Sequence, residues 1–134
     1  MRRESEAHLL GVVYTEAGVM TAAPYRVENA AHWAFAGTGL RDGDLFGFQS
    51  LHERIPGGAS GHETDKRSSS SPAGTVLLAK GQNPDEGGAE MVCYETDSGG
   101  AVFSVGSITY PACLLVDDTL SQLTRNILDR FLAE

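Results

Sequence analysis

The residues that could do chemistry crowd into one stretch, Pro56-Gly57-Gly58-Ala59-Ser60-Gly61-His62-Glu63-Thr64-Asp65-Lys66. Three glycines within five positions are followed by an imidazole, two carboxylates and an ammonium. Glycine takes positive φ and lets another group approach the backbone closely. A loop of that kind, carried on a rigid frame, is where reactive side chains are usually presented. Glu63 suits a general base or a hydrogen-bond acceptor, and His62 an acid–base partner or a metal ligand. Each has a plainer reading: Glu63 as a solvated carboxylate, His62 as an imidazole bonded to the backbone, which is the preferred one for His62. Asp65 reads as a cap or turn residue. Lys66 reads as a solvated cation or the partner of a nearby acid. For the whole stretch the alternative is a mobile surface loop rich in Gly and Ser.

Three familiar motifs fail on inspection. Gly58-Ala59-Ser60-Gly61-His62 has His where a nucleophile elbow needs its last glycine. Neither His52-Glu53 nor His62-Glu63 is followed by the second His of a zinc-binding HExxH. No Gly-Lys-Ser/Thr follows the glycines, so there is no phosphate loop. His52 and His62 stand ten residues apart without further ligands at diagnostic spacing.

The flanking segments must position this loop. His8-Leu9-Leu10-Gly11-Val12-Val13-Tyr14 is apolar, β-branched and aromatic, and predicts a strand. Pro24 and Tyr25 suggest extended chain, and residues 29–33 a short helical turn or a strand edge. His32-Trp33-Ala34-Phe35-Ala36 reads as buried, with Trp33 in a core or rim role rather than stacked on a ligand. Arg41-Asp42-Gly43-Asp44 is a turn by composition. Residues 68–71, all Ser, predict an exposed, mobile linker. Residues 75–80 form an apolar run between Gly74 and Gly81, which suits a strand covered on both faces.

Residues 89–96 and 101–108 read as two strands around Asp97-Ser98-Gly99-Gly100, the clearest local signal in the chain. Both faces of that hairpin carry apolar residues, so cover on both sides is expected. Gly106 and Ser107 suggest a close backbone approach near the strand end. A helix is expected over about residues 119–132. Thr119 and Gln122 have capping-box spacing, Asp117 and Asp118 favour its N-terminal end, and Leu120, Leu123, Ile127, Leu128 and Phe131 make one stripe. A lone helix of that length is marginal in water, so the stripe must dock on the sheet. The fold class expected is α/β: a single small domain over residues 1–134, with a sheet that includes the hairpin (89–108) and a packed C-terminal helix.

A chain of 134 residues holds one domain. Its net charge of −8 disfavours nucleic acid and anionic membrane as partners. No segment has the length of a membrane span, and the charged N-terminus lacks a signal peptide's apolar stretch. Cys93 and Cys113 lie in or beside apolar segments. Free buried thiols in a reducing cytoplasm are the preferred reading over a disulfide.

Several stretches occur together in one order. These are Pro56-Gly57-Gly58-Ala59-Ser60-Gly61-His62-Glu63-Thr64-Asp65, Gly87-Gly88-Ala89-Glu90-Met91-Val92, Ser98-Gly99-Gly100-Ala101-Val102-Phe103-Ser104-Val105-Gly106-Ser107 and Thr124-Arg125-Asn126-Ile127-Leu128. The set resembles the C-terminal domain of the large (β) subunit of the N,N-dimethylformamidase family, over about residues 8–132. The Gly-Gly-Ala-Val-Phe-Ser run is the more specific part and the loop the less specific.

The resemblance implies a glutamine-amidotransferase-like α/β architecture. It also implies hydrolysis of a non-peptide amide C–N bond, releasing dimethylamine and formate from dimethylformamide. The family's mononuclear iron is held by tyrosine and glutamate side chains. Glu63 matches a loop carboxylate that looks like an active-site acid of the family, and His62 follows as the weaker catalytic candidate. This chain is expected to hold only the last part of the catalytic domain. The iron ligands should then lie upstream, with no cofactor in this chain, and Tyr14, Tyr25, Tyr94 and Tyr110 carry no motif that marks them as ligands. The expected partners are a small amide and either further copies of the chain or a missing upstream domain, because an incomplete sheet leaves an apolar edge. The alternative, from another class, is a non-catalytic assembly or small-ligand-binding domain whose loop makes structural hydrogen bonds.

Overall fold

The computed structural model describes residues 4–133. A short helix α1 (Ala7–Leu10) leads into strands β1 (Val13–Thr15), β2 (Ala22–Ala23) and β3 (Tyr25–Val27). A single helical turn at Trp33–Phe35 precedes β4 (Leu45–Phe46), β5 (Ser60–Gly61) and β6 (Thr64–Lys66). Then come β7 (Val76–Gly81), β8 (Glu90–Glu95), β9 (Ala101–Ser104), a second helical turn at Pro111–Cys113 and helix α2 (Asp118–Leu132). The main sheet runs β4-β3-β7-β8-β9, and two ribbons, β1–β6 and β2–β5, flank it. All these pairings are antiparallel. The domain is therefore α/β in composition, with antiparallel sheets and one C-terminal helix.

The hairpin forms where expected. Cys93 pairs with Phe103 and Glu95 with Ala101 around the glycine turn. Met91, Val92, Cys93 and Tyr94 are all buried, so β8 is covered on both faces, while β9 is half-buried along its length. β7 buries Leu78 and Ala79 and carries an irregularity between Leu77 and Ala79, where its register against β8 shifts. The close approach expected at the hairpin's end is also present. Gly106 has φ 67°, and a Cβ there would lie 2.9 Å from the Asp65 carbonyl oxygen.

The expected strand over residues 8–14 is corrected. Its first half is α1, and only Val13 and Tyr14 are extended. Gly11, at φ 82°, ends the helix in the left-handed conformation, and its N–H bonds the Ala7 carbonyl at 2.9 Å. Three hydroxyls then satisfy the carbonyls at that end: Tyr94 donates to Leu9, Ser104 to Leu10 and Ser71 to Gly11. These tertiary bonds outweigh the strand propensity of an apolar run. The serine stretch is thus anchored at Ser71, while Ser68 to Ser70 stay exposed.

α2 forms with two corrections. Its N-cap is Asp117, whose carboxylate accepts the Leu120 N–H at 3.1 Å; the Thr119–Gln122 capping box is not used. Gln122 instead donates to Asn126 at 2.8 Å. Leu120, Leu123 and Ile127 are buried, each worth roughly 1.5–3 kcal/mol. The same stripe continues to Leu128 and Phe131, yet these are 55% and 42% exposed, because the helix outruns the layer beneath it. Asn126 fastens the helix to the Trp33–Phe35 turn, donating to the carbonyls of Ala34 (2.9 Å) and Ala36 (2.7 Å).

The core joins Tyr25, Phe35, Phe46, Leu78, Met91, Leu120 and Leu123. Trp33 sits at its rim, beneath the Arg130 guanidinium at 5.4 Å. Cys93 and Cys113 are buried, separate thiols. Among the described residues no helix is long and apolar enough to cross a membrane.

Candidate functional site

The glycine loop divides into two halves with opposite character. Residues 58–61 are buried, which rules out a mobile surface loop for this part. Gly57 and Gly58 have φ of 136° and 146°, a region L side chains rarely adopt. A Cβ on Gly58 would sit 2.4 Å from the Ala23 carbonyl carbon, and one on Gly61 only 2.2 Å from the Thr21 carbonyl oxygen. The glycines are there because β5 lies against β2 with no room for side chains.

Burying this backbone requires partners for its polar groups. Asn83 supplies several: its amide donates to the Ser60 carbonyl (2.9 Å) and to Thr21 Oγ1 (2.9 Å), and its Oδ1 accepts from Ser60 Oγ (2.7 Å). Ser60 Oγ in turn accepts the Ala89 N–H at 2.9 Å. Ser107 Oγ accepts the Gly61 N–H (2.8 Å) and donates to the Ala59 carbonyl (2.7 Å). Thr109 Oγ1 donates to the Gly58 carbonyl at 3.0 Å. Asn83 and Thr109 carry no sequence motif. Ser107 stands out in the sequence with Gly106, as a signal of close backbone approach, and at the end of the Ser98–Ser107 stretch.

His62 is the hinge between the halves. It takes φ 67°, and its backbone is held twice, by the Thr21 carbonyl (2.9 Å) and the Met20 N–H (2.8 Å). Its half-buried ring stands edge-on to His52 at a centroid distance of 6.0 Å. His62 Nδ1 is buried with no hydrogen-bond partner. His52 Nδ1 accepts the Ile55 N–H at 2.9 Å, so a neutral His52 carries its proton on Nε2. A metal on that Nε2 would force the proton to Nδ1 and break the bond to Ile55. The two imidazoles therefore do not make a ready chelate.

The outward half holds the carboxylates. Glu63 is exposed, and among the described residues only its carbonyl is engaged, by the Ile108 N–H at 3.4 Å. Asp65 lies in β6 opposite Tyr14, so it is a strand residue and not a cap. Its N–H is held by the Gly106 carbonyl at 2.8 Å, and its half-buried carboxyl makes no hydrogen bond among the described residues. Burial pushes the Asp65 acid above its ordinary value; Lys66 opposes this, and the charges of Glu6 and Glu63 add to it.

Lys66 is corrected from a solvated cation or acid partner. Its ammonium donates to three neutral oxygens, Thr15 Oγ1 (2.7 Å), Thr64 Oγ1 (2.7 Å) and the Ala17 carbonyl (3.0 Å). Burial and the charge of Lys80 lower its pKa. Asp65 is thereby left without a hydrogen-bonded cation among the described residues.

Glu63 and Asp65 border one groove of about 310 Å³, whose other wall is Leu10, Val12, Val105 and Ile108. His62 is not part of its lining. Alternation in an extended chain puts residues two apart on one side, which was the available signal for pairing Asp65 with Glu63. A larger cleft of about 640 Å³ lies between the hairpin turn and the end of α2. Its arginine, Arg130, is already engaged with Trp33 and, at 3.8 Å, with Glu95. The smaller groove is the one with uncommitted charge.

The tyrosines do not fit an iron-holding set. The Tyr25 hydroxyl donates to the Val105 carbonyl at 2.6 Å, and burial pushes its pKa well up. Tyr110 shares a 2.8 Å hydrogen bond with Thr124 and is pushed up to about 12, chiefly by burial. Tyr94 donates to Leu9, and Tyr14, in β1 opposite Asp65, is 45% exposed. No chemical step is therefore routed through iron in this chain.

Fold and groove define a small antiparallel α/β domain that holds a braced glycine loop with carboxylates on its outer side. A family model described as N,N-dimethylformamidase beta subunit-like, C-terminal, matches residues 1–122, and the chain belongs to that family. The match takes in the loop, the groove and the hairpin, and stops before the overhanging end of α2. No curated protein matches the chain.

Proposed function

We propose that the domain serves hydrolysis of a non-peptide amide C–N bond, offering Glu63 outward to a centre that another part of the assembly completes. The observation that carries this reading is an exposed carboxylate on a backbone fixed from within, beside a second carboxyl raised by burial. Glu63 takes a proton from water as the water adds to the amide carbonyl. The proton passes to the departing amine nitrogen, leaving a carboxylic acid and an amine. His62 is the second acid–base candidate. The same reading includes a cytoplasmic setting, an amidotransferase-like architecture for the larger unit, and association with further copies or an upstream domain.

A second reading, a non-catalytic assembly or ligand-binding domain, draws on the structural use of the Ser60 hydroxyl and of the carbonyls of residues 58–60. Formate release from N,N-dimethylformamide separates the two. It is measured in extracts of source cells carrying wild type or Glu63→Gln, and on the purified chain together with its iron content. The proposal expects turnover in extracts to fall at least about 100-fold in the variant, the scale of general acid–base catalysis, with an unchanged melting temperature. Unchanged turnover removes Glu63 from the chemistry. Turnover by the purified wild-type chain removes the need for a completing part.

A further inference from the structure

The groove beside Glu63 has a wall that a solvent-facing surface does not require. Leu10 and Ile108 are 44% and 49% exposed, and they continue inward to Val105 and Val12. Leu10 does not face out through loose packing. The end of its helix is pinned by the hydroxyls of Tyr94, Ser104 and Ser71 on three successive carbonyls. Ile108 is held on the other side, its N–H on the Glu63 carbonyl at 3.4 Å. Apolar side chains kept exposed by a rigid frame mark an interaction surface.

The charge of the groove says what it would take. Among the described residues, Glu63 and Asp65 border it without a hydrogen-bonded cation, Glu6 adds its field, and the nearest ammonium is spent on neutral oxygens. We infer that the groove of Leu10, Val12, Val105 and Ile108 docks a protein segment that sets an aliphatic side chain beside a lysine or arginine. The aliphatic group covers the leucine–isoleucine wall and the cation meets Glu63 and Asp65. This rests on the reading that another part of the assembly completes the amide-hydrolysing centre, and it names the chemistry of the segment that part must present. Opposite charge sets register and specificity at such a contact, while the apolar wall supplies buried area.

The test pans a random heptapeptide phage library on the immobilised full chain. Counter-screens use Glu63→Gln/Asp65→Asn and Leu10→Ser/Ile108→Ser, both at exposed or half-exposed positions and both checked to melt no lower than wild type. The expected result is enrichment of peptides with Lys or Arg next to Leu, Ile or Val. Capture should fall at least about 10-fold on either double variant, within the range of close interfacial charge pairs. No enrichment, enrichment of acidic or uncharged peptides, or capture untouched by the carboxylate variant overturns the inference. Enrichment with unchanged formate release in Glu63→Gln cells keeps the docking groove and removes the catalytic reading. The reverse pair of results keeps the catalysis and removes the groove.

Discussion

Residues 58–61 and residues 62–65 belong to one loop, and they solve opposite problems. The first group is buried: Asn83, Ser107 and Thr109 bond its carbonyls and the Gly61 N–H, and β2 takes its space. The second group has its backbone fixed by Thr21, Met20 and Gly106 but leaves two carboxylates unengaged among the described residues. The difference teaches that glycine here serves close packing rather than flexibility. Rigidity on the inner side is what allows precise presentation on the outer side.

Breaking the inner half should have the largest effect. Gly58→Ala places a methyl against backbone at a φ that alanine resists, and is expected to destabilise by about 3 kcal/mol or more, from overpacking and strain together. Chemical denaturation measures it. Asn83→Ala leaves the Ser60 carbonyl and hydroxyl without their partner, and should remove about 1–3 kcal/mol by the same measurement.

The outer half should respond with the reverse sign. The Asp65 acid is raised in the folded state, so its ionised form is disfavoured by folding. Below its ordinary value of 3.8 the group is neutral in both states and makes no difference. As pH rises through that value and then through the folded one, wild type should lose stability relative to Asp65→Asn. Denaturation from pH 3 to 7 should therefore show the variant gaining on wild type with rising pH; a gap that closes instead reverses the assignment. Glu63→Gln should change stability by no more than about 0.5 kcal/mol, as at other exposed positions. A larger loss there would mean that the outer half is also structural.

Glu90, in β8 of the main sheet, gives a contrasting carboxylate. Burial pushes it up, but the Arg67 hydrogen bonds and the Lys80 charge outweigh that and hold it below its ordinary value. A depressed acid stabilises the fold above its unfolded value and loses that contribution as pH falls through the folded one. Arg67→Ala should accordingly flatten the acid limb of the stability profile, in the window below 4.5.

What was legible in the sequence follows from how local the cause is. The hairpin turn is local, since Gly99-Gly100 between two apolar runs needs nothing else. The helix was legible from Leu120, Leu123 and Ile127, but its period says nothing about where the supporting layer ends. Leu128 and Phe131 have the right spacing and lie past it. The run around Leu9-Leu10-Gly11-Val12 has the composition of a strand. The hydroxyls that make its first half helical come from positions 60 to 94 residues away. At the site, the sequence marked the loop and Glu63. It could not show that Ser60 is met by Asn83, or that Lys66 turns to neutral oxygens, because those partners are fixed only by tertiary packing. Family membership was legible from the ordered stretches, and the family match over residues 1–122 takes in three of them and ends before Thr124-Arg125-Asn126-Ile127-Leu128.

The braced loop is tested most directly by native-state hydrogen exchange at four amides: Ala59, Gly61, His62 and Asp65. Their acceptors are Gly47, Ser107, Thr21 and Gly106 respectively. The account predicts that all four exchange only through opening as costly as unfolding of the β7–β8 core. Exchange at the rate of an open loop, with the β7 and β8 amides still protected, would contradict it.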